Sequence, residues 1–172
     1  MTSALNVDVI RNSAGNDTLV DGYLRKSGSV IQIQYATAMP TNHISTSTTT
    51  PADLPLTATI TPKSAASKIK VDFFSTMGTG SVSALQTILY RKIGDGAYVA
   101  LTPYAATSAR YYYGWMYNTS GWGPIASVYY DTPSTTQPVT YKLAYFLNNG
   151  STIAYLVHTY MEYGWTLTEI AG

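Results

Sequence analysis

Nine carboxylates, Asp8, Asp17, Asp21, Asp53, Asp72, Asp95, Asp131, Glu162 and Glu169, are spread singly along this chain of 172 residues. Glycoside hydrolysis needs two carboxyl groups held about 5–9 Å apart. Glu162 and Glu169 flank Gly164, and a bend there could bring them together as a depolymerase pair; ordinary surface charge explains them as well. His43 lies in a Thr/Ser-rich loop and His158 on a mostly apolar stretch, without the HxH or HExxH spacing that metal sites use. The chain has no Cys, so thiolate ligands, Cys nucleophiles and disulfides are excluded. No Gly-x-Ser-x-Gly elbow occurs, and Gly94-Asp95-Gly96 reads as a turn, not as a phosphate cradle. These residues predict no catalytic site, no metal and no cofactor.

The strongest chemical signal is aromatic. Arg110 to Pro124 carries Tyr111, Tyr112, Tyr113, Trp115, Tyr117 and Trp122. Tyr and Trp give wide, rigid contact area at low entropic cost, with a polar tip for hydrogen bonding. Sugar rings and protein surfaces both use such faces. The plainer alternative is a strand whose alternate aromatics fill a core. Tyr111, Tyr113 and Trp115 would then face one way and Tyr112, Gly114 and Met116 the other, which still leaves some aromatics for a subunit or receptor contact.

What must position these residues is a set of strands. Tyr is used 16 times and Trp three times, and charged residues make up only 11% of the chain. Aromatic and β-branched enrichment without a long helical stripe favours sheets. A net charge of +1 gives no electrostatic case for nucleic acid or an anionic membrane. No apolar run reaches the roughly 18 residues of a membrane helix, and the first residues lack the basic and apolar regions of a secretory signal. Absence of Cys suits synthesis in a reducing cytoplasm.

Alternation locates the strands. Leu5, Val7 and Val9 alternate ahead of a polar, Gly-containing connector, so residues 1–28 read as an N-terminal arm and residues 29–172 as the folded domain. Val30–Tyr35, Leu54–Ile60, Ile69–Phe73 and Val82–Lys92 follow, and Gly94-Asp95-Gly96 should fold Ala97–Leu101 back as a hairpin. The segment Thr41–Pro51 reads as a solvated loop or a polar edge strand. Val139–Leu147 and Thr152–Met161 flank Asn148-Asn149-Gly150, and Asn-Gly between apolar runs predicts a second hairpin. Its second arm is apolar on both faces, as in a strand covered on both sides. About ten short strands separated by turn signals predict an all-β, antiparallel β-sandwich of jelly-roll type with an extended N-terminal arm.

Several stretches carry a family resemblance. They are Val30–Ile33, Leu56–Val71, Leu89-Tyr90-Arg91 with the Gly94–Gly96 turn, Tyr130–Pro133, Val139–Leu143 and Leu167–Ala171, together with the opening Leu5–Gly15. In this order they resemble bacteriophage virion structural proteins, chiefly short tail-fibre and fibre-knob proteins with a C-terminal β-sandwich, several of them from cyanophages. Ala105–Ile125 departs from the simpler members and looks like an aromatic-rich insertion. The resemblance implies a homotrimer located in the virion and made in the host cytoplasm.

The expected function is that of a non-enzymatic virion structural protein: a trimeric short fibre on the tail or neck that contributes to host attachment. The alternative is a capsid decoration or cement protein that stabilises the particle. Leu5, Val7, Val9 and Arg11 are the candidate docking residues for other virion proteins in the tail, neck or capsid. Tyr111, Tyr112, Tyr113, Trp115, Tyr117 and Trp122 are the candidate receptor or subunit contacts, with a host surface glycan as one candidate ligand.

Overall fold

Period-two alternation dominates the architecture. The computed structural model describes residues 19–20, 23–24, 27–79, 83–102, 114–118, 121–147 and 153–172. Its strands are β1 (Leu19–Val20), β2 (Tyr23–Leu24), β3 (Val30–Ala38), β4 (Ile44–Thr46), β5 (Ala52–Asp53), β6 (Ala58–Ile60) and β7 (Lys68–Thr79). They continue as β8 (Ser83–Ile93), β9 (Val99–Ala100), β10 (Gly114–Asn118), β11 (Gly121–Asp131), β12 (Val139–Leu147), β13 (Ala154–Val157) and β14 (Tyr163–Ile170). No helix occurs among the described residues, and none there is long and apolar enough to cross a membrane.

Two six-stranded antiparallel sheets face each other as a β-sandwich. In the front sheet β3 pairs with β14, β14 with β7, and β11 runs along the other edge of β7 for its whole length. Beyond the end of β14, β13 pairs with the last residues of β7, and β4 with β13. In the back sheet β12 lies beside β8; β6 and β5 share the far edge of β12, and β10 and β9 share the far edge of β8. Ile69, Val71, Phe73 and Met77 point inward from β7, and Val139, Tyr141, Leu143, Tyr145 and Leu147 meet them from β12. Trp165 and Leu167 on β14 complete this core. Lys142 stands on the opposite face of β12 from Tyr141 and Leu143, as its position in the alternation requires; there it reaches Asp53 at 2.6 Å and lies over the ring of Tyr98.

The turn at Gly94-Asp95-Gly96 is a true hairpin. Gly94 takes φ +51, and β9 folds back so that Val99 pairs with Arg91. The hairpin expected across 148–150 is overturned. Its turn residues lie outside the described residues, but the two arms do not pair: β12 belongs to the back sheet and β13 to the front. The reason is edge occupancy. Both edges of β12 are taken, by β8 on one side and by β6 and β5 on the other, so a following strand cannot add to it. The second arm crosses to the facing sheet, where Ala154, Leu156 and Val157 are buried in the shared core. The expectation of a strand covered on both sides therefore fails with the expected partner: the inward face is buried, whereas Ile153 is exposed and Tyr155 only half-buried on the outer face.

The arm expectation falls largely outside the described residues, including Leu5, Val7, Val9 and Arg11. Within it, β1 and β2 form a two-stranded ribbon that pairs with neither main sheet among the described residues.

Candidate functional site

The two histidines that look isolated in sequence meet at one end of the sandwich. Strand β7 ends there at Thr79, and the registers place Gly121 at the start of β11 and Ala154 at the start of β13 on either side of it. On the outer face of the front sheet, Trp122 of β11 and Tyr155 of β13 are both register partners of Gly78 on β7. Residues directly opposite in register share a face. Gly78 has no side chain to fill the space between them, so the two rings lean over it and meet with centroids 5.2 Å apart.

His43, just before β4, and His158, just after β13, close the cluster. His43 stacks on Trp122 with centroids 5.4 Å apart and an interplanar angle of 23°, and it lies 5.0 Å from Tyr155. His158 sets its edge against Trp122 at 4.3 Å and lies 4.7 Å from His43 in T-shaped geometry. Trp122 remains 42% exposed, His43 is exposed, and Tyr155 and His158 are half-buried.

The backbone of Thr159 assigns a role to each imidazole nitrogen. Its N–H donates to His43 Nδ1 at 3.2 Å, so Nδ1 bears the lone pair and Nε2 the hydrogen in the neutral ring. Its carbonyl can only accept, so His158 Nδ1, at 2.8 Å, carries the hydrogen and leaves the lone pair on Nε2. The turn that presents both backbone groups is tight. The Met161 N–H donates to the His158 carbonyl, and Tyr160 sits in the left-handed region at φ 58. Side chains other than glycine adopt that conformation only where their surroundings hold it.

Of the aromatic candidates, Trp122 is the one whose side chain is described, and it lies in this cluster. Tyr111, Tyr112 and Tyr113 lie outside the described residues. Trp115 and Tyr117 lie on β10, whose backbone pairs with β8 at Gln86 and Ala84. The run read as one aromatic segment is thus divided between two sheets, with β10 in the back and β11 in the front. His43, His158 and Tyr155 belong with Trp122, a grouping that depends on which strands pair.

The acidic pair is not an exposed pair. Glu162 is exposed, whereas Glu169 is fully buried. Glu169 accepts from the backbone N–H groups of Lys63 at 2.8 Å and Ser64 at 3.4 Å through Oε1, and from Gln32 Nε2 at 2.6 Å through Oε2. It ties β14 to β3 and to the turn before β7, and both of its oxygens accept there. Among the described residues no group of three or more His, Cys, Asp or Glu gathers as a metal site would require.

A second surface is notable for what it leaves uncovered. The outer face of the front sheet bears Val30, Ile33 and Tyr35 from β3, Phe74 from β7, and Val128 and Tyr130 from β11, all exposed. Tyr35 is 76% exposed and Tyr130 59%. The charges on β7 within this face are Lys70 and Asp72, which pair at 2.9 Å; the hydrogen bond that Lys70 donates to Asp72 raises the Lys70 ammonium above its ordinary pKa.

Comparison with known proteins finds no matching family model and no matching curated protein. Among solved structures, a chain in the crystal structure of the T13 viral particle of infectious bursal disease virus is similar over 82% of this chain and 36% of that one, at 14% identity and a TM-score of 0.43. A chain of the Gx strain of the same virus is similar over 99% of this chain and 42% of that one, at 12% identity and a TM-score of 0.44. This chain spans well under half the length of either.

Proposed function

We propose that this protein is a non-enzymatic structural component of a bacteriophage particle, a homotrimeric short fibre of the tail or neck whose sandwich contributes to host attachment. The observation that carries the reading is the uncovered outer face of the front sheet. Val30, Ile33, Tyr35, Phe74, Val128 and Tyr130 together leave on the order of 600 Å² of side-chain surface in water, at about 100 Å² each. The largest apolar patch on a typical monomer is itself about 300–600 Å², and a stable interface buries about 800 Å² per partner. The internal pairing of Lys70 with Asp72 leaves little charge to oppose a second apolar surface.

The winding supports the same reading. The orders β3-β14-β7-β11 and β6-β12-β8-β10 support reading the sandwich as a jelly roll, a fold that recurs in virus capsids and lectins. Fold by itself does not assign function. The resemblance of the sequence to phage fibre proteins supplies the virion context. The buried Glu169, bonded through both of its oxygens, argues against Glu162 and Glu169 as a hydrolytic pair.

Sedimentation of the purified protein tests the face. The wild type should run as a trimer, and Tyr35→Glu combined with Tyr130→Glu should shift it to monomer at unchanged β-sheet circular dichroism. A wild-type monomer would overturn the homotrimer and favour the alternative, a decoration protein whose apolar face docks on the capsid.

The arm has its own expected result. Leu5, Val7, Val9 and Arg11 add as a strand to a neighbouring virion protein. Removing residues 1–24 should therefore leave a folded trimer that no longer enters particles. Loss of the fold on that deletion would count against a separate arm.

A further inference from the structure

Four rings from separate stretches of chain, His43, Trp122, Tyr155 and His158, converge on the outer side of one sheet end, and a tight turn sets the hydrogen-bonding role of both imidazoles. Packing alone does not need this arrangement. Trp122 is 42% exposed, so its indole is not committed to the core. The second nitrogen of each imidazole has no hydrogen-bond partner among the described residues, and the two differ: Nε2 of His43 offers a hydrogen, and Nε2 of His158 offers a lone pair. An apolar ring face beside one donor and one acceptor is complementary to a pyranose, which has a C–H face and hydroxyls that both give and accept hydrogen bonds.

The charges select among sugars. On the outer face of β7, Lys70 is eight residues from Gly78, about 26 Å along the strand. Lys70 is also already paired with Asp72. Glu162, on the connection that follows His158, is acidic and exposed. Among the described residues nothing cationic stands at the cluster to receive a carboxylate or a phosphate. A sialylated or phosphorylated glycan would find no counter-charge among the described residues, whereas a neutral one needs none.

We propose that His43, Trp122, Tyr155 and His158 form a binding site for neutral saccharides, in which one sugar ring stacks on the exposed indole of Trp122 and its hydroxyls pair with Nε2 of His43 and Nε2 of His158. This deepens the attachment reading by naming the class of ligand and the residues that take it. The strained turn at Tyr160 belongs to the site, because it holds the Thr159 N–H and carbonyl against the two rings and so pre-orients them.

The test uses the full chain on an array of neutral and anionic oligosaccharides, followed by calorimetric titration of the neutral hits. At least one neutral glycan should bind, and Trp122→Ala and His158→Ala should each weaken it tenfold or more with thermal unfolding little changed. Val99→Ser, on exposed β9 of the back sheet, should leave the affinity within twofold. No binding to any neutral glycan, binding confined to anionic glycans, or affinity unchanged in both cluster variants would overturn the proposal. Sedimentation of the same samples separates the two readings. A monomer that still binds sugar through Trp122 removes the trimer and leaves this site, and a trimer that binds no sugar does the reverse. Binding of another protein by wild type and by Trp122→Ala alike, without any sugar binding, would likewise overturn it.

Discussion

Asp131→Ala lowers unfolding free energy by about 3–5 kcal/mol, the cost of removing one partner from a buried ion pair. Asp131 closes β11 at the end of the front sheet and is only 5% exposed. Its Oδ1 accepts from Arg91 Nη1 at 2.7 Å, and its Oδ2 accepts from the Tyr141 hydroxyl at 2.8 Å. Arg91 is on β8 and Tyr141 on β12, both in the back sheet, so this one carboxylate bridges the two layers. Without it a partly buried guanidinium has no counter-charge and a buried hydroxyl has no acceptor.

Burial, followed by the negative charge and hydrogen bond of Asp131, pushes the Tyr141 phenol well above its ordinary pKa, so this donor stays protonated far into the alkaline range. Tyr141→Phe should then cost less than Asp131→Ala, about 1.5–3 kcal/mol for one hydrogen bond to a charged acceptor. Replacing Arg91 and Asp131 together with leucine should recover part of the single-variant loss, since the unpaired charge leaves with its partner. Urea denaturation at one fixed protomer concentration measures all three, because an assembly's apparent stability depends on concentration. An unfolding free energy for Asp131→Ala within about 0.5 kcal/mol of wild type, the usual range for surface changes, would remove the bridge from any structural role.

Trp165→Ala should be as damaging, at about 3–5 kcal/mol for a large aromatic lost from a close-packed interior. Trp165 is fully buried on β14, the strand between β3 and β7. Its ring lies against Phe73 with centroids 4.8 Å apart, and its Nε1–H donates to the Leu56 carbonyl at 3.2 Å. That bond fastens the segment before β6 of the back sheet onto a strand of the front sheet. Trp165→Phe keeps most of the apolar volume and loses the bond, so it should cost less than half as much. Equal losses in the two variants would show that the bond, not the cavity, dominates.

Period two was legible wherever one face of a strand is buried and the other is wet. Ile69-Lys70-Val71-Asp72-Phe73 and Val139-Thr140-Tyr141-Lys142-Leu143 could be assigned faces from the chain alone, and Ile69, Val71, Phe73, Val139, Tyr141 and Leu143 are buried as expected. The Gly94–Gly96 hairpin was legible for a local reason, since a positive φ at glycine is a property of a few neighbouring residues. The Asn149-Gly150 signal was of the same kind, yet it misled. A turn dipeptide reports that the chain reverses; it does not report whether the edge of the preceding strand is free.

The functional cluster was hidden for a related reason. His43 and His158 carry no spacing signal because their neighbourhood is made by long-range pairing, of β4 with β13, of β13 with β7 and of β11 with β7. Trp122 was legible as an exposed aromatic, but its companions in the linear run belong to another part of the fold. Glu169 was misread from its charge: a lone carboxylate in sequence looks like surface, and only the approach of the Lys63 and Ser64 N–H groups explains its burial.

The sequence by itself determined an all-β chain, the inward faces of its long strands and the absence of thiol chemistry, because these follow from residue type and nearest-neighbour geometry. Tertiary structure decided which edges pair, which sheet each strand joins and which distant side chains meet. Those outcomes depend on competition for a limited number of strand edges and on the space left over a residue such as Gly78, and neither quantity is a property of any short stretch of chain.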